Sequence, residues 1–262
     1  LGCSGKAALS PGNDTRINLL LLLRDRQGTG TKGLTLPKPG WDEFGFGGTF
    51  FDWDYLRSTF YPRPAGDEAG DYAGSRCDSV GAAAPAFEAA LAANRGVSQV
   101  ERGALIAARG RLQESCSSAE NLTPWPDAAV TSAAGREFLG YLKAADAFYG
   151  SRWEEAAPGF TALGSASDPW VREAASYMTG RAALNAAQDK AFDDWGGFDG
   201  PAKVDKAAAN TARDGFAAYL KAWPEGHYAA SARGLLRRVL WLEGDLKGLS
   251  GEYDRLLGAV PA

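Results

Sequence analysis

A chain of 262 residues, 45% hydrophobic and 11% aromatic, is apolar enough to bury a sizeable core, which excludes a disordered chain and allows one elongated domain or two small ones. Its net charge of −4 supplies no general electrostatic drive toward DNA, RNA or anionic lipid headgroups, so no nucleic-acid partner is expected. The longest aliphatic run, Ile17 to Leu23 interrupted by Asn18, falls far short of the roughly 20 apolar residues that cross a bilayer.

The chain begins Leu1-Gly2-Cys3, and small residues just before a cysteine resemble what remains of a bacterial lipoprotein cleavage site. That resemblance implies a lipid on Cys3, membrane contact through that anchor alone, and a place in the periplasm at the outer membrane. The competing reading is an arbitrary trim. Residues 1–14 are rich in Gly, Ser, Pro and Asn and read as a flexible leader. Asp14 or Thr15 then caps a short helix from Arg16 to Arg26, with a buried strand over Ile17–Leu23 as the alternative; length does not decide between them.

Gly28, Gly30 and Gly33 match GxGxxG, but phosphate binding needs a helix to open right after the glycines. Pro37 and Pro39 forbid that helix, so a loop is expected there and no nucleotide cofactor. Residues 15–76 form an irregular region, aromatic and glycine rich from Trp41 to Tyr72. These rings read as a cap over the end of a helical stack, which must be covered; the alternative is an exposed platform for a small molecule or partner, with Trp41 and Trp53 in it. Asp52 and Asp54 read as solvated acids between rings rather than as a catalytic pair.

Residues 77–126 read as a disulfide-closed helical hairpin with its linker. Ala82–Asn94 is the first arm, Arg95-Gly96 the turn and Ser98–Gln113 the second arm, started by a capping box of Ser98 with Glu101. Cys77 and Cys116 stand at the two ends that such a hairpin brings together, so a disulfide is expected, worth about 4 kcal/mol on the loop-entropy estimate and pointing to an oxidising compartment; the alternative is two separate buried thiols in a cytosolic protein. A CxxC motif and Cys/His metal spacing are absent, so no metal site is expected. The Gln113-Glu114-Ser115 segment raises the helical-solenoid lytic transglycosylases, which place a Ser after a catalytic Glu, but the downstream segment of that family is missing. Glu114 therefore reads as a surface acid at a helix end.

From residue 127 the pattern is one of helical hairpins. Phe138, Leu142, Ala145 and Tyr149 share a first helix face; after a turn at Gly150-Ser151, Trp153, Ala156, Phe160 and Leu163 share a second, with Pro158 expected near its first turn. Ser167-Asp168-Pro169 caps a helix to about Gln188 whose inner stripe is Trp170, Val171, Ala174, Ala175, Met178 and Ala182. A glycine-rich insertion holds Trp195 and Phe198. Ala212, Phe216 and Tyr219 then fall on one face of a helix stopped by Pro224. A last hairpin carries Tyr228, Ala232, Leu235, Leu236, Val239 and Trp241, a turn at Gly244-Asp245, and Leu246, Leu249, Tyr253 and Leu256. His227, the only histidine, reads as structural, and Arg233, Arg237 and Arg238 as a small basic face, solvated or paired with Glu243.

The small, aromatic, apolar and proline positions at Ala212, Phe216, Tyr219 and Pro224 resemble the second helix of a tetratricopeptide hairpin. Trp153, Ala156 and Phe160 repeat that spacing, although Pro169 comes one residue later than the family pattern. The resemblance implies an all-α helical-hairpin solenoid over residues 127–262, similar to the assembly-type lipoproteins of Gram-negative envelopes. It further implies a non-catalytic scaffold that binds an envelope protein or peptide, with Tyr177, Arg181 and Asn185 as the polar stripe on its concave face; the competing reading puts Arg181 in a structural ion pair and packs Tyr177 against the next hairpin. The alternatives are a cell-wall enzyme, with Glu114 or Asp54 as the acid, and a small-molecule binder using the aromatic segment.

Overall fold

The structure, a computed structural model, describes residues 22–30, 32–33, 75–117, 119, 121–193 and 197–258. The chain falls into two compact units, Leu1–Gly70 and Asp71–Ala262.

In the first unit the described part of the expected Arg16–Arg26 segment, residues 22–26, is helical rather than a strand. Gly28, Gly30 and Gly33 have positive φ of 70°, 47° and 76°, the left-handed region that glycine enters freely. The loop closes on Arg24, whose Nε donates to the Gly30 carbonyl at 2.8 Å and whose Nη2 donates to the Lys32 carbonyl at 2.6 Å. Cys3, the prolines after Gly33 and the aromatic segment with Asp52 and Asp54 lie outside the described residues.

In the second unit the cysteine-bounded arms are each broken in two: α1 (Ser75–Ala82) and α2 (Ala84–Ala93), then α3 (Gln99–Ala108) and α4 (Arg111–Cys116). Pro85 in the first turn of α2 has no N–H to give the Gly81 carbonyl, so the ladder of α1 is interrupted and a new helix starts. Gly110 marks the second break. The Cys77 and Cys116 sulfurs lie 2.02 Å apart, joined as a disulfide. The capping box is formed: Ser98 Oγ accepts from Glu101 N and Glu101 Oε2 accepts from Ser98 N. The other Glu101 oxygen accepts from Thr131 N at 2.8 Å and Ser132 N at 2.7 Å, which fixes α3 to the start of the next hairpin. These donors, Ser132 N first and Ser98 N next, hold its carboxyl at about 2.

Three hairpins follow: α5 (Ala133–Tyr149) with α6 (Trp153–Ala162), α7 (Pro169–Gln188) with α8 (Lys206–Ala222), and α9 (Ala229–Glu243) with α10 (Leu246–Gly258). The caps are side chains of Ser132, Asp168 and Asp205, each accepting a first-turn N–H. Phe138, Leu142, Phe160, Val171, Ala174, Ala175, Ala182, Ala212, Phe216 and Tyr219 are fully enclosed, as their periodicity requires. Gly180 in α7 faces Phe216 and Gly215 in α8, so the two helices cross with almost no side chain between them. The insertion pairs Phe192 with Phe198 in an isolated antiparallel bridge, and the Phe198 ring lies 4.3 Å from Trp241. Among the described residues there is no β-sheet.

Several expectations are corrected. Pro158 sits beyond the first turn of α6, where it deprives the Glu154 carbonyl of its helical donor; both residues are exposed, so water satisfies that carbonyl. Leu246 and Tyr253 are 69% and 51% exposed, because no described element covers that side of α10. The arginines of α9 do not form a single face: Arg238 turns away from Arg233 and Arg237. Arg238 is drawn inward over the Trp241 ring at 4.4 Å, and its burial lowers its pKa. Glu243 pairs with Arg213 of α8.

Candidate binding cleft

Ala86, Ala89, Ala90 and Ala93 recur at three- and four-residue spacing, so they form one face of α2. Opposite them stand Asp168, Pro169, Trp170 and Glu173, from the cap and first turns of α7, and His227 from the α8–α9 connection. The open cleft between these walls has a volume of about 730 Å³, with Arg95 at its rim. Trp170 roots the α7 wall by packing on Phe87 at 5.7 Å, Tyr141 at 5.0 Å and Phe138 at 6.2 Å.

The acids in this cleft are occupied in holding its walls. Asn94, the C-cap of α2, donates from Nδ2 to Asp168 Oδ2 at 2.7 Å and closes one end. Asp168 Oδ1 accepts from Val171 N, while Glu137 accepts from Ser167 N and Asp168 N. Glu173 Oε1 accepts from the Tyr219 hydroxyl at 2.8 Å and from His227 N at 2.7 Å, and the Tyr219 oxygen in turn accepts from Tyr228 N at 2.9 Å. Burial, then the bond to Glu173, raises the Tyr219 pKa well above the usual phenol value. Gly226 lets the chain come this close, since a Cβ there would stand 2.5 Å from Glu173 Oε1 and 2.6 Å from the Tyr219 oxygen. The cleft thus presents a flat, small-residue floor, an indole wall and a rim of Arg95 and His227. This suits an apolar or peptide chain lying against α2.

The stripe of Tyr177, Arg181 and Asn185 is engaged with the protein itself. Tyr177 is 5% exposed, stacks on Tyr228 at 4.6 Å and shares a 2.6 Å hydrogen bond with the Ser231 hydroxyl. The Arg181 guanidinium lies 4.9 Å over the Phe148 ring and donates to Ser79 Oγ of α1 at 3.3 Å. Asn185 Nδ2 donates to the Arg181 carbonyl. The stripe therefore connects α1, α5, α7 and α9, with Arg181 and Asn185 half-buried and Tyr177 enclosed.

Glu114 uses both oxygens on Thr123, accepting from its hydroxyl and its N–H at 2.6 Å each. That hydroxyl first, then the N–H, keeps its carboxyl below the usual range, opposite to what a general acid requires. The His227 ring lies edge-on to Tyr228 at 4.8 Å. Among the described residues no group of His, Cys, Asp and Glu side chains is placed to hold a metal, and no helix is long and apolar enough to cross a membrane. The cleft escaped sequence reading, although its signal, alanines at 86, 89, 90 and 93 on one helix face, is there to be read.

The architecture defines an all-helical protein built from packed antiparallel hairpins. No protein-family profile, curated protein or solved structure matches the chain.

Proposed function

We propose that the chain is a non-catalytic scaffold of tetratricopeptide-like hairpins that holds a protein or peptide of the bacterial envelope. In this reading it works in the periplasm, tethered to the outer membrane through lipid on Cys3, with its disulfide suited to that compartment. One observation carries the binding role: the open cleft of about 730 Å³ between α2 and the start of α7, with an alanine floor and acids already bound to the frame.

The test is a photo-cross-linking side chain at exposed Ala89 in intact cells, with exposed Thr211 of α8 as control position. The expected result is a discrete envelope protein captured from Ala89 and not from Thr211, lost when Ala93→Trp fills the cleft. Identical capture from both positions, capture indifferent to Ala93→Trp, or a peptidoglycan-cleaving activity abolished by Glu114→Gln would overturn the reading.

A further inference from the structure

The four arginines Arg213, Arg233, Arg237 and Arg255 converge on a groove of about 500 Å³ between α8, α9 and α10, far in sequence from the α2 face of the cleft. Leu236 and Leu240, one turn apart on α9, supply its apolar floor. Four guanidiniums in one groove run against a chain whose net charge is −4. Gly248 and Gly251 line it from α10, and a Cβ added at Gly251 would meet nothing within 4 Å, so the groove is open there.

One carboxylate of the chain itself stands in the groove. Glu252 of α10 takes a two-pronged contact from Arg255, Nε to Oε2 at 2.8 Å and Nη2 to Oε1 at 2.7 Å, with Arg237 Nη1 at 3.7 Å from the same group. This is the planar fork by which guanidinium recognises carboxylate. The remaining contacts leave donors to spare. Arg213 pairs with Glu243; Arg233 bonds the Pro224 carbonyl and stands 3.6 Å from Glu225, which is 91% exposed; Arg255 itself is 59% exposed. Each guanidinium carries five N–H donors, and each of these internal contacts uses only part of that fork.

From this geometry we propose that the groove between α9 and α10 docks an acidic, leucine-bearing peptide segment of a partner protein. Its carboxylates join Glu252 on the Arg237 and Arg255 guanidiniums, and its aliphatic side chains lie on Leu236 and Leu240. The site is separate from the α2 cleft, and Ala93→Trp, which fills that cleft, leaves this groove untouched.

The probe is a short fluorescein-labelled peptide of alternating glutamate and leucine, followed by anisotropy against the whole chain at low and high salt. Arg237→Ala with Arg255→Ala should weaken binding by about tenfold or more, as truncation of an interface arginine does. Gly251→Leu keeps every arginine, improves helix propensity and fills the open floor; it should abolish binding while circular dichroism and melting show a folded protein. Three results would overturn the proposal: no measurable binding, equal binding of an all-glutamate peptide with Gly251→Leu indifferent, or displacement by an oligonucleotide as effective as by the unlabelled peptide. The last two would reduce the groove to unspecific charge.

Discussion

The crossing of α7 and α8 gives the sharpest test of how this unit is held. Gly180 is interior to α7, where replacing glycine by alanine ordinarily stabilises a helix by about 0.5–1 kcal/mol. Here a Cβ would lie 2.8 Å from both Cδ1 and Cε1 of Phe216, and the Gly180 backbone already stands 3.1 Å from where a Cβ on Gly215 would be. Phe216 is fully buried, with Tyr177 at 6.1 Å, so its ring has no free space to move into. Overpacking of this kind costs about 1–3 kcal/mol. Set against the helix gain, Gly180→Ala should destabilise by about 1–2 kcal/mol, a fall of roughly 2–4 °C in Tm for each kcal/mol in a unit this size.

Phe216→Leu alone should destabilise by about 1–2 kcal/mol through the void it leaves. The double variant, with the added methyl occupying part of that void, should cost at least about 1 kcal/mol less than the sum of the singles. Urea unfolding followed by helical circular dichroism, with equal m-values required, measures all four corners of the cycle. A Gly180→Ala variant more stable than the parent, or additivity within about 0.5 kcal/mol, would refute the close crossing.

Other parts of the frame give further expectations. Asp146 is 3% exposed and receives Arg111 at 3.1 Å, Arg152 at 2.6 Å and the Ser115 hydroxyl, so Asp146→Ala leaves the partly buried Arg111 without its counter-charge and should cost about 3 kcal/mol by chemical denaturation. Cys77→Ser opens a loop of separation 39 and should lower stability by up to about 4 kcal/mol, with reducing agent reproducing the effect in the parent and doing nothing further to the variant. Glu101 titrates at about 2 when folded, below its ordinary value, so its contribution is complete above about pH 5 and is lost as pH falls through 4 toward 2. Glu101→Gln should flatten the stability profile across that acid window; an unchanged profile would remove the role given to its four hydrogen bonds.

Local signals were read correctly where the chemistry itself is local. Ser98 with Glu101, and Asp168 before Pro169, satisfy helix-end N–H groups within three residues, so sequence spacing is nearly sufficient to find them. Ala212, Phe216 and Tyr219 are buried because a 3.6-residue period leaves them nowhere else to point. The failures share the opposite property. Arg181 was expected either on a binding face or in an ion pair, but it lies over the Phe148 ring, a choice that only the α5–α7 packing makes. The cleft depends on Asn94 reaching Asp168 and on Glu173 reaching His227, contacts across 74 and 54 residues that leave no periodic trace. Leu246 and Tyr253 fit an apolar helix face, yet periodicity says which residues share a side and nothing about whether that side is covered.

The two walls of the cleft are held differently, and this bears on what sets its width. On the α7 side, Glu173, Tyr219 and the N–H groups of His227 and Tyr228 form a closed hydrogen-bonded circuit, and Gly226 leaves no slack in it. On the α2 side, the alanine face carries no polar anchor of its own. It is held at its end, where Asn94 meets Asp168 and Arg102 donates to the Asn94 carbonyl at 2.7 Å, and along its buried edge by Phe87 against Trp170. Ring contacts tolerate sliding that a closed hydrogen-bond circuit does not. The width of the cleft is therefore set by α2, which lies between α1 and α3 inside the segment closed by Cys77 and Cys116. The disulfide thus belongs to the description of the cleft: it closes the stretch from α1 to α4 within which this wall stands.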